Sequence, residues 1–143
     1  MGEARDVGQV WFDAIERGDS ADRLAALLAP DVDFSTPLGP ISSAEEAAGY
    51  IHVFIDAFPD AKFNVTNWIE DGEMAVAEGR YSGTHTGDMA TAQGTIPATG
   101  RSIDVPYATV FQVKEGKLAG HRAYWDNATF MTQLGLMPGP DAG

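Results

Sequence analysis

The sequence has no cysteine, which excludes disulfides, thiolate metal sites and a cysteine nucleophile. Histidine is scarce, and one multi-histidine metal site would consume nearly all three. Positive charge is thin: 9 Lys and Arg stand against 21 Asp and Glu, a formal net charge of −12. A nucleic-acid backbone needs a basic patch, and so does an anionic membrane surface, so neither partner is expected. No apolar run approaches the ~18 residues that would cross a bilayer. Met1-Gly2-Glu3-Ala4-Arg5-Asp6 is not a basic start followed by an apolar stretch. No signal peptide is therefore expected, and a cytoplasmic location is the default.

The rest of the composition is that of an ordinary globular chain. The 143 residues are 44% hydrophobic and 21% charged, enough for one domain with a real core over residues 1–143. Val7, Val10, Trp11, Ala14 and Ile15 form an apolar stripe at helical spacing, and Gly18 stops that helix. Ser20 caps a short second helix carrying Leu24, Leu27 and Leu28, which Pro30 ends. Val32, Asp33 and Phe34 read as a short strand before Pro37 and Gly39. Ser43 and Glu46 form a capping box for a third helix that Pro59 closes.

The period then changes. Phe63, Val65, Asn67 and Ile69 alternate with polar residues, Asp71-Gly72 turns the chain, and 74–85 reads as a long strand. Residues 86–100, rich in Gly, Thr and Pro, read as a loop. Strands follow over 103–113 and 117–125. Met131, Leu134 and Leu136 suggest a last short helix before a frayed tail over 136–143. Helices first and an antiparallel meander after them predict an α+β fold with helices on one face of a curved sheet.

Several short motifs occur in a telling order. They are Ala29-Pro30-Asp31-Val32, Phe58-Pro59-Asp60, Gly83-Thr84-His85-Thr86-Gly87, Pro97-Ala98-Thr99-Gly100-Arg101, Val113-Lys114-Glu115-Gly116-Lys117, Tyr124-Trp125-Asp126 and Gln133-Leu134-Gly135. Together they resemble the SnoaL-like polyketide cyclase family of the nuclear transport factor 2-like (cystatin-like) superfamily, over nearly the whole chain. The resemblance implies a cone: a bent antiparallel sheet wrapped around N-terminal helices, with a pocket at its open end. It implies a homodimer or tetramer formed through the outer sheet face, and no metal or organic cofactor. The cyclases close a ring on a polyketide ester by an intramolecular aldol step, whereas other members are isomerases, hydrolases or proteins without assigned activity.

The last hairpin bears on the chemistry. A three-residue turn, Lys114-Glu115-Gly116, pairs Val113 with Lys117 and places Thr109 opposite His121, Tyr107 opposite Ala123 and Val105 opposite Trp125. The odd-numbered residues then share the apolar pocket face. A two-residue turn would send Arg122, Tyr124 and Asp126 there instead. In the aldol cyclases, the His-Arg pair of this strand is followed by an acid/base carboxylate, and a second histidine stands on the preceding strand. Here the matching positions hold Ala123 and Thr109. A methyl group moves no proton. Ketosteroid-isomerase chemistry fits no better, because its first-helix tyrosine is replaced by Trp11 and Phe12.

Four residues are candidates for catalysis. His121 can act as acid/base or polarise a carbonyl, or be a hydrogen-bonded interior histidine. Tyr107 can donate to a carbonyl or enolate oxygen, or be an aromatic wall. His85 can assist, or make a structural hydrogen bond at the rim. Asp126 can be a raised-pKa acid, or the last helix can be capped by Asp126 or Asn127, and the cap is the favoured reading. Phe12, Phe34, Tyr50, Phe54, Thr109 and Trp125 are expected to line the substrate site, and Trp68 can join them or be core. The expected function is a cofactor-independent cyclase or isomerase acting on a neutral, apolar, polyketide-like carbonyl compound. The alternative is a non-catalytic small-molecule-binding or accessory protein.

Overall fold

A computed structural model describes residues 2–36, 39–91 and 94–137. Helix α1 (Glu3–Arg17) ends where Gly18 turns left-handed at φ 73°. Its N-terminus has no side-chain cap of its own; the Glu70 carboxylate accepts from the Gly2 and Arg5 N–H groups instead, at 2.9 and 3.1 Å. That bond ties the helix to the sheet and meets two of the N–H groups a helix start leaves open. Val10, expected on the apolar stripe, is 46% exposed, whereas Trp11 and Phe12 are buried. Helix α2 (Ala21–Ala26) starts on the Ser20 cap, whose hydroxyl accepts from Arg23 N–H.

Strand β1 (Leu28–Thr36) begins earlier than the sequence suggests and contains Pro30, expected to end a helix. Proline has no N–H to give a ladder. It is tolerated because β1 is out of register with its neighbour between Leu28 and Asp33. The chain beyond β1 holds an unexpected short strand, β2 (Gly39–Ile41), antiparallel to it; Pro37 lies outside the described residues. Helix α3 (Ala44–Ala57) opens on Ser43, whose hydroxyl accepts from Glu46 N–H.

Strands β3 (Lys62–Asp71) and β4 (Met74–Thr84) form a hairpin through Gly72 and Glu73. The expected loop over 86–100 contains a small hairpin of its own, β5 (Met89–Thr91) with β6 (Gly94–Ile96). Strands β7 (Ser102–Lys114) and β8 (Lys117–Trp125) follow, then helix α4 (Asn127–Gln133). Leu136 lies beyond that helix and is 41% exposed. Of the tail expected to fray, 138–143 lie outside the described residues.

The main sheet runs β2-β1-β8-β7-β4-β3. It is antiparallel except where β1 lies parallel to β8, a pairing the meander reading did not include. Helix α1 packs against β3, β4 and β7, and α3 against β1. Between them sits one core built on Trp11, Phe12, Phe34, Phe111 and the aliphatic residues around them. A second core gathers Phe58, Ile103, Phe130 and Leu134 under β5. Among the described residues, no helix is long and apolar enough to cross a membrane.

Two bulges set which side chains face inward. On β3, Val65 pairs with Gly79 and Asn67 with Glu78, leaving Thr66 extra; its hydroxyl donates to the Glu78 carbonyl at 3.1 Å. An extra residue reverses the alternation. Asn67 and Ile69, which continue the alternation begun by Phe63 and Val65, are exposed, and Trp68 turns inward onto Phe111. On β8 the turn is the two-residue kind: Lys114 pairs with Lys117 through Glu115 (φ 52°) and Gly116 (φ 76°). Ala119 is then bulged, since Val113 pairs with Leu118 and Gln112 with Gly120. The bulge restores the parity, so His121, Ala123 and Trp125 still face inward and Arg122 and Tyr124 outward.

Candidate active site

The register differs from the expected one by two residues. His121 stands opposite Phe111, Ala123 opposite Thr109, and Trp125 opposite Tyr107. His121 and Tyr107 are thus not diagonal neighbours. Four residues of strand separate their rungs, about 14 Å between Cα atoms at ordinary strand rise and spacing.

Both residues line a single cavity of about 100 Å³ between α1, α3 and the concave face of the sheet. Phe12, Phe34, Tyr50, Phe54, Thr109 and Trp125 line it too. Its floor is fixed by α1, which presents Trp11 and Phe12 side by side. Its roof is the α3 face carrying Tyr50 and Phe54, whose rings meet edge to face at 5.3 Å. No Asp, Glu, Lys or Arg is among the lining residues described. Trp68 is not a wall; it stacks behind Phe111.

His121 sits in an aromatic box. Its ring stacks on Phe34 with centroids 4.3 Å apart, and the rings of Phe111 and Trp11 meet it edgewise at 5.5 and 5.7 Å. Its Nδ1 is buried and has no hydrogen-bond partner among the described residues. Burial, with a smaller push from the Arg122 charge, drives its pKa down from 6.5 to about 3. The imidazole is neutral at pH 7.

Tyr107 anchors the other end. Its ring meets Phe63 and Phe12 edge to face, and its hydroxyl is buried without a partner among the described residues. Burial, with the Glu16 charge adding to it, pushes its pKa up. The phenol keeps its proton and is a hydrogen-bond donor. Tyr50, also in the wall, is pushed up to about 12 by burial.

The other two candidates stand elsewhere. His85 is fully buried but does not line the cavity. Its Nδ1 accepts from Thr99 N–H at 3.2 Å, and its backbone bonds Arg101 and Gly100, so it pins the loop between β4 and β7. Burial pushes its pKa down. Asp126 is the N-cap of α4, accepting from Thr129 N–H at 3.0 Å and from the Thr129 hydroxyl at 2.6 Å. Those bonds hold its carboxyl below the ordinary carboxylate range, the opposite of the raised-pKa acid considered above. Among the described residues, no cluster of three or more His, Asp or Glu side chains could hold a metal.

Trp11 and Ile15, which the sequence places on the core stripe of α1, are wall residues as well. Trp11 also carries a polar atom. Its Nε1–H is buried with no partner among the described residues. The signal was available, because a tryptophan on a core stripe carries an N–H that must find an acceptor.

A family model of the SnoaL-like domain matches residues 9–121. No curated protein sequence matches the chain. Among solved structures, a proposed SnoaL-like polyketide cyclase from Jannaschia sp. CCS1 superposes with a TM-score of 0.79 at 21% identity, covering 95% of this chain and 94% of that one. IdmH of Streptomyces antibioticus, a proposed polyketide cyclase, gives 0.70 at 23% identity over 94% and 99%. A protein of ketosteroid isomerase-like fold from Catenulispora acidiphila DSM 44928, in complex with trimethylamine, gives 0.72 at 18% identity over 91% and 92%. At such identities the likeness to these structures is one of fold. The family match covers most of the chain, and the chain belongs to the SnoaL-like domain family.

Proposed function

We propose that the protein is a cofactor-independent cyclase or isomerase acting on a neutral, largely apolar, polyketide-like carbonyl compound. One observation carries this reading: a carbon-walled cavity without a charged wall residue among those described also holds Tyr107 and His121, each with an unpartnered polar atom. An apolar pocket with a few polar groups is the usual form of a small-molecule site. The net charge of −12 repels anionic ligands and leaves neutral ones unaffected.

The chemistry is enolisation. Tyr107 donates to the carbonyl oxygen, where negative charge develops. His121 takes the proton from the adjacent carbon. It is a weak base, so the carbonyl must be polarised before the proton moves. In cyclisation the enol carbon bonds to a second carbonyl carbon of the same molecule, and the proton goes to the new alkoxide. In isomerisation it returns to a different carbon.

The test is hydrogen–deuterium exchange at the α-carbon of 1-tetralone in D2O, followed by proton NMR. Exchange above the buffer rate is expected, and Tyr107→Phe and His121→Ala should each lower it by ~10²-fold or more. Binding without exchange would overturn catalysis and leave the second reading, a binding or accessory protein. That reading is favoured by Ala123, a methyl group on the cavity wall where the cyclases hold their carboxylate.

The same reading includes a homodimer through the outer sheet face. Ile69, Val76 and Val110 are direct partners in one row across β3, β4 and β7 there, and Ile69 is 55% exposed. Val110→Glu should convert the dimer to a monomer in light scattering. An unchanged mass would place the interface elsewhere.

A further inference from the structure

Resting on the reading of the cavity as a small-molecule site, though not on its catalytic step, we propose that the slot between β1 and β8 is a subsite for a carboxamide or lactam group of the ligand. That group pairs with the Ala123 carbonyl and the Trp125 backbone N–H. The ligand is then neutral, with an apolar ring in the cavity and an amide at the open edge of the sheet.

Strand β8 is paired with β7 as far as Trp125, which stands opposite Tyr107. With β1 it is paired only as far as Arg122, opposite Ser35. Strand β1 itself ends one residue later, at Thr36, which pairs with Gly39 of β2. The end of β8 therefore has a partner on one side and, among the described residues, none on the other.

Ladder parity decides which groups face that opening. Val113 N–H donates to the Glu73 carbonyl at 2.8 Å, so the odd-numbered residues of β7 turn their backbone groups toward β4 and the even-numbered ones toward β8. Ala108 and Val110 then exchange bonds with the residues opposite them, Tyr124 and Arg122. The backbone groups of His121, Ala123 and Trp125 point the other way, toward β1. In a parallel ladder of this register, the last bond runs from Ala123 N–H to the Ser35 carbonyl. The Ala123 carbonyl and the Trp125 N–H come next in line. By sequence the next donor would come from residue 37, and Pro37 has no N–H.

A cleft of about 190 Å³ lies where the ladder stops, lined by Ser35, Thr36, Ala123, Tyr124 and Trp125. Ser35, Ala123 and Trp125 also line the cavity, so the two spaces share a wall. A carbonyl and the N–H two residues on, both on one side of a strand, set an acceptor beside a donor. A primary carboxamide or a lactam carries the complementary donor and acceptor side by side and meets both. A ketone meets only the N–H. A carboxylate sets a second acceptor against the Ala123 carbonyl.

The experiment titrates the wild-type protein with benzamide, acetophenone and toluene, followed by amide NMR. Benzamide and acetophenone share a ring, a carbonyl and nearly the same shape, and only benzamide adds the N–H donor. Benzamide has no α-hydrogen, so its binding is independent of enolisation. It should bind about tenfold tighter than acetophenone, the scale of one good hydrogen bond. The Trp125 backbone amide resonance should move downfield with benzamide and stay in place with toluene. Benzamide binding no tighter than acetophenone, or a Trp125 amide that ignores benzamide, would overturn the subsite and leave the exchange of 1-tetralone to decide the catalytic reading. Tight benzamide binding that moves the Trp125 amide, in a protein that exchanges no 1-tetralone hydrogen, would keep the subsite and leave a binding protein. Binding of none of the three would overturn both the subsite and the small-molecule reading on which it rests.

Discussion

Acidification from pH 7 to pH 4 should cost the fold about 3 kcal/mol through His121 alone, and His121→Phe should remove most of that loss. The imidazole is pressed between Phe34, Phe111 and Trp11, with no carboxylate among the described residues of the cavity to stabilise a positive charge. Its folded pKa lies near 3, against 6.5 in the ordinary state. A histidine of this kind binds its proton more readily in the unfolded chain. Its contribution is complete above about pH 6.5 and is lost as pH falls through the window down to about 3. His85, also buried and shifted downward, adds a loss of the same sign. Neutralising the surplus acid relieves self-repulsion and works the other way. The difference between the wild type and His121→Phe removes that shared background. Phenylalanine fits the aromatic box, cannot titrate, and deletes the unpartnered Nδ1, so the variant should match or exceed the wild type at pH 7. Urea unfolding at pH 7, 5.5 and 4 measures both. Parallel stability curves for the two proteins would show that His121 is not the titrating group.

The same environment bears on chemistry. A nitrogen this hard to protonate is a poor base for an unactivated carbon acid. It is a good partner for a neutral donor. Its role in turnover therefore depends on Tyr107 acting first on the carbonyl.

Much of the cavity was legible in the sequence because it rests on local signals. Gly18, Ser20 and Ser43 mark helix ends through capping chemistry that needs no tertiary context. The six residues proposed for the substrate site line one cavity, since aromatic residues at helical and strand periods converge on one interior. What failed depended on single extra residues. Thr66 reversed the faces of β3, exchanging Ile69 for Trp68. Ala119 offset a two-residue turn that would otherwise have turned β8 over. The inward faces of β7 and β8 came out right through two errors that cancel, while the rungs moved by two and separated His121 from Tyr107. Nothing local marks Ala119 as a bulge; the pairing of a whole strand decides it. The parallel pairing of β1 with β8 was illegible for the same reason, being a contact between residues some ninety positions apart.

Gly79→Ala should destabilise the protein by about 3 kcal/mol or more. A Cβ at this position would collide with the Asn64 carbonyl oxygen and lie 2.9 Å from Val65 Cα. Both neighbours are backbone, so no rotamer change makes room. Strand β4 is paired on both sides, with Gly79 opposite Val65 on β3 and Tyr107 on β7. Relief therefore means opening a ladder in the middle of the sheet. The crowding arises because the Thr66 bulge bends β3 across β4 at this rung, and a bulge increases local twist and bend. Phe63 and Tyr81, the next inward-facing pair along this hairpin, line the cavity with Tyr107. The variant should lose ligand binding together with stability, since the wall and the ladder share one rung. Gly49→Ala is the control. Gly49 is in α3, has a helical conformation and open space around its Cβ position, and should gain roughly 0.5–1 kcal/mol. Urea unfolding of the two variants side by side reads the contrast. A Gly79→Ala protein within 1 kcal/mol of wild type would mean that the backbones at the bulge are not in close contact, and the curvature that shapes the cavity would need another origin.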